Sequence, residues 1–205
     1  IFPPNKFLPT FNSNAIEMRL HHIQNLSNNF LSFNDDFFIG RSTIKEDFFY
    51  KEGVPKLYMG TKKSKIKLKM RIKYPSLKKL KSHASALYNS RKLILDKYNI
   101  LINQNLIHTV KALNKDILYE IENDFFEVFN KTLGNQFRDL SDTWIMSLHA
   151  YYLIAKGLNK PLYVQEIKKN NFINKLHLLL NMKLDYGYVA LNLSESKLKH
   201  KLSLI

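Results

Sequence analysis

The stretch Phe30-Leu31-Ser32-Phe33-Asn34-Asp35-Asp36-Phe37-Phe38-Ile39-Gly40-Arg41 sets two apolar runs on either side of a polar knot, Asn34-Asp35-Asp36. Both runs, 30–33 and 37–39, read as buried strand. A strand that ends in carboxylates puts them at its carboxyl end, where open α/β sheets bind ligands. Buried carboxylates without partners are costly, so this pair calls for counter-charge. A hard divalent cation bridging a diphosphate would supply it, because Mg²⁺ takes one or two carboxylates plus phosphate oxygens. The competing reading is a tight Asn-Asp turn in a β-hairpin, with Asx hydrogen bonds and solvated carboxylates. Spacing alone favours the turn.

Upstream, Pro3, Pro4 and Pro9 make the start extended, and Ser13 or Asn14 caps a short helix over 15–23. Downstream, residues 46–49 form a turn of helix and 56–59 a strand. In KIKLKMRIKY, residues 65–74, apolar Ile66, Leu68, Met70 and Ile72 alternate with Lys67, Lys69, Arg71 and Lys73. Period two predicts a strand with one apolar and one cationic face. Helices are expected over 77–98, 116–129 and 142–156, the last stopped by Gly157, then a strand at 162–164, a helix at 172–181 and a strand at 186–191. Alternating strands and helices argue for a helix-rich α/β class, a mixed sheet flanked by helices. No repeat or linker divides the chain, so residues 1–205 read as one unit.

A chain of 205 residues can build one domain with a real core. It has no cysteine, which excludes disulfides and thiolate metal sites and fits a reducing compartment. No signal-peptide pattern follows Ile1, and every apolar run falls short of membrane-spanning length. The net charge of +15 is unevenly placed: residues 53–95 hold 13 Lys or Arg and no acid, while the rest balances 19 basic residues against 17 acidic. A Lys-, Asn- and Ile-rich coding bias does not explain 43 consecutive residues without a carboxylate. The segment points to a polyanionic partner or an anionic membrane surface. No recognition-helix, zinc-finger or RNP-like signature argues for nucleic acid.

The residues around the knot, LPTFNSNAIEMRLHHIQNLSNNFLSFNDDFFIGR at 8–41 with EDFF at 46–49, resemble the Stealth family of sugar-1-phosphate transferases. That family includes bacterial capsular polysaccharide phosphotransferases and the catalytic part of animal N-acetylglucosamine-1-phosphotransferase. Its second conserved block runs approximately PTF-NS-xAIE-SHLHRI, then FIYLNDDVFFG, then EDFF. Pro9 to Ser13, Ala15 to Glu17, His21, Ile23, Asn34 to Asp36, Gly40, Arg41 and Glu46 to Phe49 stand in register; Arg19 replaces the first His and His22 the usual Arg. A third block is echoed by Asn89, by His108 in HTVKAL, where Val110 and Lys111 replace Pro and a second His, and by Arg138 and Asp142, where Gln136 replaces an Arg. Residues 186–194 faintly echo a later FICLND strand, with Leu193 where Asp is expected. A first block, YTWVDGSD-like, is expected before residue 1 and a fourth after residue 205. The resemblance therefore implies a nucleotide-sugar transferase-like domain incomplete at both ends, with segments 8–49, 53–95 and 108–157.

What the resemblance implies is transfer of a hexose 1-phosphate from a UDP-sugar to a hydroxyl of an acceptor glycan, with UMP leaving. Asp35 and Asp36 become ligands of Mg²⁺ or Mn²⁺, or a metal-and-base pair. Arg138 grips phosphate oxygens, its plainer reading being a salt bridge to Asp139 or Asp142. His108 is a general base or phosphate donor, or else a capping or core histidine. Substrate contacts are implied for Asn12, Ser13, Glu17, His21, Asn34, Arg41, Asn89 and Asp142. Asn12 and Ser13 read better as helix caps, and Glu17, four residues before His21, orients it or forms a surface ion pair with it. His22, His83, His149 and His177 read as structural, and Phe125, Phe126, Phe129, Trp144, Tyr151 and Tyr152 as core at helical spacing. The expected setting is the cytoplasm, at the inner membrane face, with a UDP-sugar donor and an anionic glycan acceptor as partners. The alternatives are a UDP-sugar glycosyltransferase releasing UDP, an inactive family member and a basic polyanion-binding module. The cationic segment would serve either a polyanionic acceptor or an acidic leaflet, and the sequence does not choose.

Overall fold

The computed structural model describes residues 3–35, 37–39, 42–73, 82–163 and 188–190. The expected helix at 172–181 and the residues Asp36, Gly40, Arg41 and His177 lie outside them.

Helix α7, Ile145–Ala155, is the axis of the core. Every residue from Ile145 to Leu153 is buried, as befits a helix without a solvent face. Helix α4, Ser82–Tyr98, lies along it, close enough for Ser147 Oγ to donate to Ser90 Oγ at 2.8 Å. Arg91 of α4 is buried, with Nε donating to the Ile102 carbonyl at 3.1 Å and Nη2 to the Gln104 carbonyl at 2.8 Å. Those bonds stitch α4 to the strand that follows it. The helix expected over 116–129 is two helices, α5 at Lys115–Asp124 and α6 at Phe126–Gly134. Phe125 leaves the helical region between them (φ −131°, ψ 36°), so α5 packs on α7 while α6 packs on α1, Ser13–Glu17. Phe125, Phe129, Tyr151 and Tyr152 are core as expected, whereas Phe126 is 57 % exposed. Helix α7 begins three residues later than expected and stops at Gly157, which takes φ +71° while Leu158 N donates to the Leu153 carbonyl at 2.9 Å.

Among the described residues the strands form three small sheets. Strand β1, Asn29–Ser32, runs antiparallel to β5, Lys111–Asn114. Strand β2, Phe37–Ile39, runs antiparallel to β7, Tyr188–Ala190. Strand β3, Tyr58–Lys62, lies between antiparallel β4, Gln104–Leu106, and parallel β6, Leu162–Tyr163. The helix-rich α/β class is therefore observed, with the strands divided among separate sheets and one sheet mixed. Because β1 and β2 pair with different partners, they do not make the hairpin that the turn reading supposed. A second small core of Phe48, Phe49, Val110 and Ala112, with Leu31 and Phe37 against it, carries both strands. Phe48 ends α2, Lys45–Phe48, the turn of helix read at 46–49.

The alternating segment, expected as strand over 65–74, is helix over its described part: α3 spans Lys65–Lys73. Lys, Arg, Leu and Met are strong helix formers, and Ser64 stands at the N-cap, with Lys67 N reaching its Oγ at 3.4 Å. Leu68 and Ile72, four residues apart, share one side, with Leu68 1 % exposed. One buried leucine on a helix replaces the row of buried side chains that a strand would have needed.

Candidate active site

The knot follows β1 directly. Phe37 N donates to the Asn34 carbonyl at 3.1 Å, closing a turn through Asp35. Asn34 and Asp35 are exposed, so the burial assumed for Asp35 is corrected: water screens this carboxylate, and it needs no buried counter-charge. Its position at a strand's carboxyl end stands.

Opposite the end of β1, in register with Ser32, is Lys111, the first residue of β5. Its Nζ donates to the Ile107 carbonyl at 2.6 Å and to the Thr109 carbonyl, clasping the backbone on both sides of His108. Burial pulls the Lys111 amine down to about 7, against the opposing charge of Glu17. His108 is exposed, its ring edge-on to Phe37 at 4.9 Å.

Across from this loop, Asp142 organises a second one. It is fully buried. Its Oδ2 accepts from Asn12 Nδ2 at 2.9 Å, Asn14 Nδ2 at 3.0 Å and Asp139 N at 3.0 Å, and its Oδ1 from Asn135 Nδ2 at 2.8 Å. Asn12 also caps α1 by accepting from Asn14 N at 3.0 Å. Asn89 reaches over from α4 and donates to the Leu140 and Asp142 carbonyls at 2.9 and 2.7 Å. Asn12, Asn89 and Asp142 thus have their polar groups engaged inside the protein, holding the loop 135–143 from which Arg138 projects.

Arg138 is exposed. Its Nε and Nη2 donate to Ser13 Oγ at 3.0 and 2.7 Å, so the salt bridge to Asp139 or Asp142 is not what holds it. Glu17, at the end of α1, accepts from Trp144 Nε1 at 2.8 Å. Burial raises the Glu17 carboxyl, and the Trp144 bond and then the Arg138 and Lys111 charges pull back against it. His83, in the first turn of α4, lies 5.1 Å from the Trp144 ring. Burial lowers its imidazole, aided by the charges of Arg138 and His108. The charges of Arg138 and Lys111 thus act on Glu17, and those of Arg138 and His108 on His83. Sequence reasoning met Lys111 only as the residue in place of a motif His, without the strand that carries it, and read His83 as structural.

His21 is elsewhere. Helix α1 ends at Glu17, so His21 falls in a separate 3₁₀ turn, Leu20–His22, and the Glu17–His21 pairing does not form. His21 is buried, its Nε2 2.6 Å from Glu122 Oε2; His22 Nε2 lies 2.6 Å from the same oxygen, and Arg19 Nη1 donates to Oε1 at 2.9 Å. Burial pushes the Glu122 carboxyl up, but bonds from His21 and His22 and then their charges outweigh it, leaving it at about 2. Among the described residues this is the one His and Glu group whose ligand atoms converge, within 4.8 Å, on a point a metal could take. Arg19 holds Oε1 and both imidazoles hold Oε2, while Arg19 Nε and His21 Nδ1 are buried without a hydrogen-bond partner. His149 is buried and structural, as read: its Nε2 accepts from Asn114 N at 3.3 Å, and burial takes it down to about 3.

The loops that meet at this face are the segments that match known proteins. Residues 1–57 match "Stealth protein CR2, conserved region 2" and residues 107–155 match "Stealth protein CR3, conserved region 3". An exopolysaccharide phosphotransferase of Streptomyces coelicolor is 36% identical over 163 residues, covering 78% of this chain and 26% of its own length. The exopolysaccharide phosphotransferase CpsY of Mycobacterium tuberculosis is 33% identical over 161 residues, covering 78% and 29%. The capsular polysaccharide phosphotransferase SacB of Neisseria meningitidis serogroup A is 31% identical over 155 residues, covering 75% and 27%. The chain belongs to the Stealth family. It spans about a quarter of the length of the curated relatives it matches.

Proposed function

We propose that the protein transfers a hexose 1-phosphate from a UDP-sugar to a hydroxyl of an acceptor glycan, in building a capsular or surface polysaccharide, and releases UMP. The observation that carries this is the exposed Arg138 guanidinium, docked on the Ser13 hydroxyl rather than on a carboxylate. The relatives, exopolysaccharide and capsular polysaccharide phosphotransferases, support phosphotransfer in polysaccharide synthesis.

In this reaction the acceptor oxygen bonds to the β-phosphorus as the bond to the UMP oxygen breaks. Negative charge spreads over the phosphoryl oxygens and the leaving UMP, so fixed cations do most of the work. The planar fork of Arg138 suits two phosphate oxygens. Exposed His108 takes the proton of the acceptor hydroxyl, its backbone held on either side by Lys111. Asp35, an exposed oxygen donor at a strand end, fits a hard cation, and with Asp36 would hold Mg²⁺ or Mn²⁺, which neutralises diphosphate charge. Asn34 shapes the turn at that end through its carbonyl.

The test is nucleotide release. The full-length protein is incubated with UDP-hexoses and Mg²⁺, with and without a capsule-type oligosaccharide, and UMP is resolved from UDP. UMP that requires acceptor and metal, and is lost in Asp35→Ala and Arg138→Ala, supports the reading. UDP release would move the protein to the glycosyltransferases, and no nucleotide product from any donor would point to an inactive member.

A further inference from the structure

We propose that the outward face of α3 docks on an anionic lipid surface. The proposal deepens the reading above by saying where the polymer-making enzyme is held, and rests on that reading only for its purpose.

Residues 53–95 contain no acid, so nothing within the segment neutralises its lysines. The helical conformation of Lys65–Lys73 changes what those residues present. A strand would have sorted them into an apolar inner face and a purely cationic outer one. The helix turns Leu68 inward, 1 % exposed, towards its neighbour α4, and winds Ile66 and Met70 to the far side. Ile66 is 76 % exposed and Met70 48 % exposed, one turn apart, with exposed Lys65, Lys67 and Lys69 around them.

Three classes of anionic partner could meet such a face. A polyanionic glycan would engage the lysines and gain nothing from the two apolar side chains. A single-stranded nucleic acid would want aromatic platforms, and α3 has none, while a duplex, like the glycan, would engage the lysines and gain nothing from Ile66 and Met70. An anionic bilayer uses both features: headgroup charge draws the lysines, and Ile66 and Met70 enter the acyl boundary. Nine residues are about 14 Å of helix, far too short to cross a bilayer and suited to lying in its surface. No helix among the described residues is long and apolar enough to span a membrane.

The experiment is co-sedimentation of the full-length protein with phosphatidylcholine vesicles, with and without phosphatidylglycerol. Three proteins are compared: wild type, Ile66→Ser with Met70→Ser, and Lys65→Gln with Lys67→Gln and Lys69→Gln. The expected result is binding to the anionic vesicles alone, lowered roughly tenfold by the serine pair and roughly a hundredfold by the glutamines. UMP release in free solution stays at the wild-type level in both variants, so failure of vesicle binding and failure of the enzymatic reading are separate outcomes. All the substituted side chains are exposed, and unchanged urea midpoints confirm folding. No sedimentation of wild type with anionic vesicles overturns the proposal. So does binding that the glutamines abolish and the serine pair leaves intact, which would assign the face to a polyanion such as the glycan acceptor.

Discussion

Replacing Asp142 with asparagine separates support of the site from contact with substrate. The carboxylate accepts four hydrogen bonds at 2.8 to 3.0 Å and is fully buried. Asparagine keeps the shape. Its oxygen can face Asn12, Asn14 and Asp139 N, but its NH₂ then meets the donor of Asn135. Three bonds fall from charged to neutral strength, about 1 kcal/mol each, and the fourth is lost at about 2 kcal/mol. Relief of a buried charge offsets part of that, leaving on the order of 3 kcal/mol. Local opening of the 135–143 loop should rise roughly a hundredfold. Hydrogen exchange reads it directly, at the amides of Asp139 and Thr143, which bond to Asp142 Oδ2 and Thr132 Oγ1. UMP release should fall with it, because Arg138 stands on that loop. Unchanged exchange with unchanged activity would refute the energetic reasoning. Unchanged exchange with lost activity would mean that Asp142 meets substrate itself.

Arg138→Ala removes an exposed side chain, so stability should stay within about 0.5 kcal/mol while the rate of UMP release falls roughly a hundredfold or more; a drop in the urea midpoint as large as that of Asp142→Asn would make Arg138 structural. Lys111 binds its proton less tightly folded, at about 7, than unfolded, near 10.5. The unfolded chain therefore holds more protons between those values, and stability should rise with pH across that window, a rise that Lys111→Met removes. Glu122 gives a slope of the same sign on the acid side: its folded value is about 2 against 4.5 unfolded. Its contribution is complete above 4.5 and fades as pH falls towards 2, so acid titrations of Glu122→Gln should lack that limb. Chelation by EDTA should stop UMP release and leave the urea midpoint of the wild type in place.

Much of the fold was legible where burial imposes a period. The helix expected over 142–156 is observed at 145–155, with Gly157 marking its end. Strands β4 and β5, QNL and KALN, gave no signal, since strands this short and polar show neither alternation nor an apolar run. At 65–73 the signal was present and misleading. Alternation of Lys with Ile, Leu and Met is a strand pattern only if every second residue is buried; here Leu68 is buried while Ile66 and Met70 are not, and helix propensity decides. Phe125 was read as helix interior because its apolar spacing fits, and nothing local announces that two helices with different packing partners must part there.

The candidate site shows a limit of motif reading that is physical rather than statistical. Asn12, Ser13 and Glu17 lie within six residues of one another, yet they do three different things. Asn12 faces inward to a buried carboxylate, Ser13 seats a guanidinium at the surface, and Glu17 meets an indole while the charges of Arg138 and Lys111 pull on its carboxyl. A five-residue helix turns successive side chains by about 100°, so neighbours in sequence point into different surroundings. What each residue does is fixed by what arrives opposite it, and those partners come from residues 135–144. A motif can say that these residue types belong together. Only the crossing of α1 with the 135–143 loop separates the residues that hold the face, Asn12, Asn89 and Asp142, from those that form it, Ser13, Glu17 and Arg138.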